Sequence, residues 1–302
     1  MDYFAIIKKA FQISARHKFL WIFGILAGGY GGFRGFSFNT SSYSATGSQW
    51  QKTFNNLNSL TFNQFWANWG SFILAILFLL LVLALIIFIL NIISQGALVN
   101  SVAKINKNEK ANFKIGFLAG AHQFWRILGV IILYLLMTLA SLVLLIAPVV
   151  FFVSSKMYAL AIIWGLILFL VDLLFWILIG LISPYSIRVA VLEKFSVFQS
   201  IRESLHFVRD NLKEVIIMYL LMFAIGIGYG IALLLAILLA GGLLLAIGFG
   251  FYLASAIVAI SYGIVVGLVV FIGLIIVSGA YNTFTSSVLT LVYLELAKKT
   301  NS

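Results

Sequence analysis

The sequence predicts an all-α fold: a polytopic transmembrane helical bundle with amphipathic cytoplasmic helices at the membrane interface. Three observations carry this expectation. Of 302 residues, 63% are hydrophobic and 9% charged, whereas about a quarter of an ordinary soluble domain is charged. Several apolar runs reach or exceed the roughly 20 residues that cross a bilayer as a helix. The basic residues flank those runs and form no contiguous patch, which favours anionic lipid headgroups over nucleic acid as their partner. An outer-membrane barrel fits poorly, because 28 phenylalanines and two prolines lie in long runs without the alternation of roughly ten-residue strands.

Met1 to Lys18 carries Lys8, Lys9, Arg16 and Lys18. It is long and amphipathic, its cleavage region is poorly defined and further spans follow, so it is expected to be retained as an interface helix. The first span, Phe19 to Phe33, is the least hydrophobic. Its Gly24, Gly28 and Gly32 recur every four residues and leave a bare face for close helix packing, or else belong to a loose re-entrant end. Residues 35–68 are rich in Ser, Asn, Gly and Thr and are expected as an external polar loop, or a small external cap, since so many polar groups cannot span lipid.

Ser71 to Ile93 is the strongest span, with Trp66 and Trp69 ahead of it, Asn91, Ser94 and Gln95 at its exit, and a continuation toward Val102. Ile127 to Val153 and Tyr158 to Ser183 follow, joined at Ser154-Ser155-Lys156. Val215 to Ala240 is expected to end at Gly241-Gly242. The remaining tract, Leu243 to Leu296, would make a helix of about 80 Å, longer than one crossing needs. It is expected to break at Ser261-Tyr262-Gly263 or Ser278-Gly279, leaving 243–262 as an uncertain, non-spanning or external hydrophobic segment.

With the amino terminus inside, sixteen of nineteen basic residues fall inside and only Arg34, Lys52 and Lys156 outside. That asymmetry places both termini in the cytoplasm and requires an even number of crossings. Six are favoured, and eight short ones are the alternative.

Three segments share one pattern, an amphipathic stretch running into a span. They are residues 1–18 (Phe4, Ile7, Phe11), 111–125 (Phe113, Phe117, Ala121, Phe124) and 196–212 (Phe198, Ile201, Leu205, Val208, Leu212). Ser196 and Gln199 have capping-box spacing in the third. Aligning Lys18, Arg126 and Lys213 gives offsets of 108 and 87 residues, a repeat of physical pattern. Such helices lie at the interface with apolar groups in the acyl boundary and cations at headgroups. Lys8, Lys9, Arg16, Arg126, Arg188, Arg202, Arg209 and Lys213 are the headgroup candidates.

The combination of Ser183-Pro184-Tyr185, Arg188 to Glu193, Ser200 to Leu205 and the terminal Phe284 to Leu294 resembles uncharacterised prokaryotic polytopic proteins related to the glycerophosphoryl diester phosphodiesterase membrane domain and the YciC-like membrane family. The resemblance covers nearly the whole chain. It implies a membrane-associated accessory role and no phosphodiesterase site, because catalysis in the hydrolytic relatives resides in a separate soluble barrel.

Absence of cysteine and the dispersal of His17, His122 and His206 leave little for a metal centre, and no cofactor is expected. Asp172 stands near the middle of a span, where a charge is costly. It marks a proton or cation path, or a carboxyl satisfied inside the bundle. Asn91, Ser94 and Gln95, with Asn282, Thr283, Thr285, Ser286, Ser287 and Thr290, either line a path or glue helices together. Gly226, Gly228 and Gly230 lack the lysine and hydroxyl of a phosphate loop, so Gly226 and Gly230, like Gly263 and Gly267, are packing candidates. His206, Arg209, Asp210 and Glu214 have no attached nucleophile and read as a headgroup-facing helix surface, so an enzyme is not expected. The functional expectation is a lipid-interacting accessory protein that supports envelope assembly or homeostasis; the alternative is a transporter or permease for a small solute, lipid or ion. Oligomerisation, or another membrane protein as partner, is left open by the glycine faces.

Overall fold

In the computed structural model the described residues are 1–28 and 59–300. They form nine helices and no strand: α1 (Tyr3–Arg16), α2 (Phe19–Ala27), α3 (Ser59–Asn106), α4 (Phe113–His122), α5 (Phe124–Ser154), α6 (Tyr158–Leu192), α7 (Val197–Asp210), α8 (Leu212–Ala254) and α9 (Ala256–Thr300). Tight turns join several of them. Asn108, Lys156 and Lys194 close three of these turns in the left-handed region, with φ of 60°, 59° and 59°.

Five helices, α3, α5, α6, α8 and α9, are long and apolar enough to cross a membrane, so this is a multi-pass helical membrane protein. The sixth favoured crossing rests on Phe19 to Phe33. Only Phe19–Ala27 of it is helix within the described residues, about 13 Å at the helical rise and too short to cross. Gly32 and residues 35–58 lie outside the described residues, whereas 59–68 open α3 where an external loop was expected.

The molecule has two unlike ends. At the packed end, α1, α2, α4 and α7 surround the adjoining ends of the five long helices. Leu20, Phe23, Leu98, Val102, Tyr185, Val208, Met218, Val288 and Leu296 form the main core there. Beyond it α8 continues with largely exposed apolar side chains from Phe223 to Tyr252, and α3, α5, α6 and α9 do so over roughly 20–24 residues each, about 30–36 Å. That is one hydrocarbon thickness, so lipid solvates these stretches and the packed end sits at one membrane surface.

Several expected boundaries move, for one reason. In hydrocarbon a broken backbone hydrogen bond finds no water, so a helix continues through weak breakers. Gly241-Gly242 does not end a helix: α8 runs on to Ala254. Residues 243–262 are no separate segment, because they form the two arms of the α8–α9 hairpin, which turns at Ser255. Tyr262 Oη donates to Leu244 O across it at 3.2 Å. Neither Ser261-Tyr262-Gly263 nor Ser278-Gly279 breaks α9.

Pro184 likewise lies inside α6, which extends past Ser183 to Leu192. A proline leaves the carbonyl four residues back without its donor. Here that carbonyl belongs to Gly180, and Tyr219 Oη of α8 donates to it at 3.4 Å.

Candidate functional site

Each of the three amphipathic segments buries one face in the bundle and leaves another exposed. In α1, Ile6, Ala10 and Ile13 are buried while Phe4 and Phe11 are 77% and 65% exposed, with Lys8, Lys9 and Arg16 exposed beside them. In α7 the buried face is Ser200, Ser204 and Val208. Phe198, Arg202, Leu205 and Arg209 are exposed, at spacings that place them on one side of the helix. Small serines and Val208 face the protein, where α7 lies close against α6, while Phe198, Leu205 and Leu212 of the expected apolar stripe are exposed. Ser204 Oγ reaches Ser186 Oγ, which also shares a 2.7 Å hydrogen bond with Tyr134 Oη of α5.

Ser196 precedes α7, but its side chain makes no capping bond; its carbonyl accepts from Ser200 N at 2.8 Å. Lys213 is exposed, Arg126 half-buried, and Arg209 pairs with Asp210 at 3.4 Å on the exposed side of α7. The expected second segment is shorter, α4, and Phe124 opens α5 instead. Gly116 and Gly120 form its buried face, where a Cβ on Gly120 would strike Ile93 O of α3. Phe113 stacks on Phe23 with centroids 4.8 Å apart.

Most of the polar patches hold helices together. Asn91 Nδ2 donates to Leu26 O at 2.7 Å and Ala27 O at 3.1 Å, supplying carbonyls that the end of α2 leaves without intrahelical donors. Gln95 Nε2 donates to Asn91 Oδ1 at 2.8 Å. Thr283 Oγ1 lies 3.0 Å from Leu20 O and 2.8 Å from Gly279 O, Asn282 Nδ2 donates to Gly24 O at 3.4 Å, and Ser287 Oγ donates to Thr283 O. Ser94 Oγ is buried without a partner among the described residues.

Gly24 and Gly279 meet where α2 crosses α9: a Cβ on Gly24 would collide with Gly279 O, and one on Gly28 with the Asn282 amide. Gly226 lies beside Tyr281 Oη, whereas a Cβ on Gly230, Gly263 or Gly267 would meet nothing within 4 Å. Among the described residues, those three therefore pack against no helix of this chain.

A cavity of about 590 Å³ opens among α2, α3, α5, α6 and α9. Gln95, Asn282, Thr285, Ser286, Ser183 and Arg188 give it a polar part; Ile131, Leu135, Trp176 and Ile179 give it an apolar one. Arg188 is not at the surface, as an interfacial cation would be, but only 5% exposed. Its Nη1 donates to Pro184 O, and its Nη2 lies 3.3 Å from Ser286 O and 3.4 Å from Ser286 Oγ. Among the described residues its Nε, and Thr285 Oγ1, are buried without partners. Among the described residues no carboxylate is within ion-pair distance of it, and the neighbouring Glu193 accepts from Tyr293 Oη at 3.3 Å.

Asp172 is half-buried and does not line this cavity. It is four residues before Trp176, seven before Ile179 and eleven before Ser183, hence on the same side of α6 but further from the packed end. Sequence reasoning missed Tyr134, Ser186, Ser204, Gly116, Gly120 and Gly279. The four-residue spacing of Gly116 and Gly120 was the available signal for those two.

Taken together, the fold defines a multi-pass helical membrane protein with a packed, basic end. Residues 15–296 match a Family of unknown function (DUF7544), and the chain belongs to that family. No curated protein and no solved structure matches it.

Proposed function

We propose that this is an accessory protein of the prokaryotic cytoplasmic membrane, with both termini cytoplasmic, that gathers anionic lipid at the inner surface and supports envelope assembly or homeostasis. One observation carries the proposal: α1 and α7 leave aromatic or aliphatic groups and cations interleaved on exposed faces, Phe4, Lys8 and Phe11 on one and Phe198, Arg202, Leu205 and Arg209 on the other. Both helices bury their opposite side in the bundle, which leaves these faces free to meet the interface. Apolar groups at that depth enter the acyl boundary while cations meet phosphates. The residues resembling the glycerophosphoryl diester phosphodiesterase membrane domain and the YciC-like membrane family support the same role, with no chemistry of the protein's own. Gly230, Gly263 and Gly267 leave room for a second copy or another membrane protein as partner.

The test is the lipid shell extracted with the protein in polymer-bounded native discs. Anionic lipid is expected to be enriched over the bulk membrane, and neutralising Lys8, Arg202, Arg209 and Lys213 together should remove the enrichment. A shell of bulk composition around the unaltered protein would refute the proposal.

A transporter or permease for a small solute, lipid or ion is the second proposal, favoured by the alignment of Asp172 with the cavity-lining side of α6. It requires a flux in proteoliposomes that Asp172→Asn abolishes; full flux in that variant removes the role of this carboxyl.

A further inference from the structure

We infer that the cavity at Arg188 is a specific site for one anionic phospholipid, seated with its phosphate at the guanidinium and its acyl chains directed toward the membrane midplane. The inference rests on the proposed lipid-interacting role but on residues separate from the exposed faces of α1 and α7.

The charge calls for a ligand. A buried guanidinium is retained where an anion and hydrogen-bond acceptors compensate its lost hydration. Arg188 has carbonyl and hydroxyl acceptors on Nη1 and Nη2 and, among the described residues, no carboxylate and no acceptor for its buried Nε. Thr285, in the same lining, carries a second buried polar atom, Oγ1, without a partner among the described residues. The missing component is therefore anionic and rich in acceptors.

Donor supply selects phosphate. The same cavity is lined by Ser183, Thr285 and Ser286 and by Gln95 and Asn282, whose hydroxyls and remaining amide N–H groups suit several oxygens on one centre. Among the described residues no acidic side chain lines the cavity. A zwitterionic headgroup would find nothing for its ammonium, so an anionic lipid is preferred.

Position selects an amphiphile. Gln95 on α3 lies one turn inside Asn91, where the exposed apolar stretch of α3 gives way to packed core. This is the level at which hydrocarbon meets headgroups. Along α6 the lining runs from Arg188 to Trp176, about 18 Å at the helical rise, and becomes apolar toward Trp176, Ile179 and Leu135. A free anion would use only the deep end; a lipid of the adjoining leaflet matches the whole wall.

The experiment is native mass spectrometry of the full-length protein, delipidated in detergent and titrated with phosphatidylglycerol, phosphatidylcholine or inorganic phosphate. One tightly retained phosphatidylglycerol per chain is expected, with phosphatidylcholine at least tenfold weaker and millimolar phosphate failing to displace it. Arg188→Gln should weaken retention at least tenfold. Gly180→Leu should do the same without altering the guanidinium: Gly180 lines the cavity, and a Cβ there meets nothing within 4 Å, so the new side chain starts into open space. Neutralising Lys8, Arg202, Arg209 and Lys213 should leave the single retained lipid in place, which separates this site from the surface. Wild-type retention in the folded Gly180→Leu variant, equal binding of phosphatidylcholine, or displacement by inorganic phosphate would each overturn the assignment.

Discussion

Replacing Gly24 by alanine tests the contact on which the packed end depends. The added methyl would collide with Gly279 O, a backbone atom, and with Thr283 Oγ1, so α2 must move off α9. Overpacking of this kind costs about 1–3 kcal/mol. The shift also stretches the 3.0 Å bond from Thr283 Oγ1 to Leu20 O, adding about 0.5–1.5 kcal/mol. Alanine returns about 1 kcal/mol of helix propensity, so the net loss is about 1–3 kcal/mol, or roughly 2–6 °C in Tm at about 2 °C per kcal/mol for a chain of this size. Gly263→Ala is the matched control. Its methyl meets nothing within 4 Å, and alanine improves helix propensity by about 1 kcal/mol, so Tm should stay level or rise. Thermal unfolding in nanodiscs, followed by tryptophan emission, reads both variants. Trp21 reports locally, since it is on α2 and its Nε1 donates to Ser14 O at 2.8 Å. If Gly24→Ala melts with the wild type while Gly263→Ala melts early, the α2–α9 crossing is misassigned and the later glycines do the packing, between chains.

Three further outcomes follow from the geometry. Asn91→Leu keeps the volume but strips the donors from Leu26 O and Ala27 O, and should cost about 2–6 kcal/mol at about 1–3 per unpaired carbonyl, measured as the same loss of thermal stability. Tyr219→Phe should cost about 0.5–1 kcal/mol in the natural chain but nothing in Pro184→Ala, where the backbone N–H restored at that position can reclaim Gly180 O; a double-mutant cycle with zero coupling contradicts the repair of the proline break. Because the chain has no cysteine, single cysteines report topology directly. Lys156→Cys and Ser255→Cys, at the far-end turns, should react with an impermeant maleimide from one side, and Lys107→Cys and Lys194→Cys from the other; labelling of Lys156→Cys and Ser255→Cys from opposite sides refutes the two hairpins.

Much of the candidate site was legible in part. Asn91, Gln95, Asn282, Thr283, Ser286 and Ser287 stand out in sequence because each is polar in an apolar run. Which of them tie helices and which face open space depends on partners more than sixty residues away, such as Leu26 for Asn91. Arg188 shows the same division. A cation four residues from the end of α6 reads as interfacial, and only the packing of α9 beside it removes it from the surface. The apolar stripes of α1 and α7 divide for a related reason: Val208 enters the core while Phe4, Phe11, Phe198 and Leu205 stay exposed, since an apolar stripe beside lipid has two places to go and periodicity does not choose between bilayer and protein.

Composition and charge placement alone determined the class: helices long enough to cross a bilayer, basic residues gathered at their ends, and amphipathic segments running into the spans. These are local properties, set by the cost of placing charge and unpaired backbone in hydrocarbon. Tertiary structure decided where the helices stop, which glycines touch, and that one cation is enclosed with a cavity beside it. Those depend on contacts between distant segments, because in lipid a glycine or proline ends a helix only where no neighbouring helix repairs the backbone, and a polar group has meaning only through the partner opposite it.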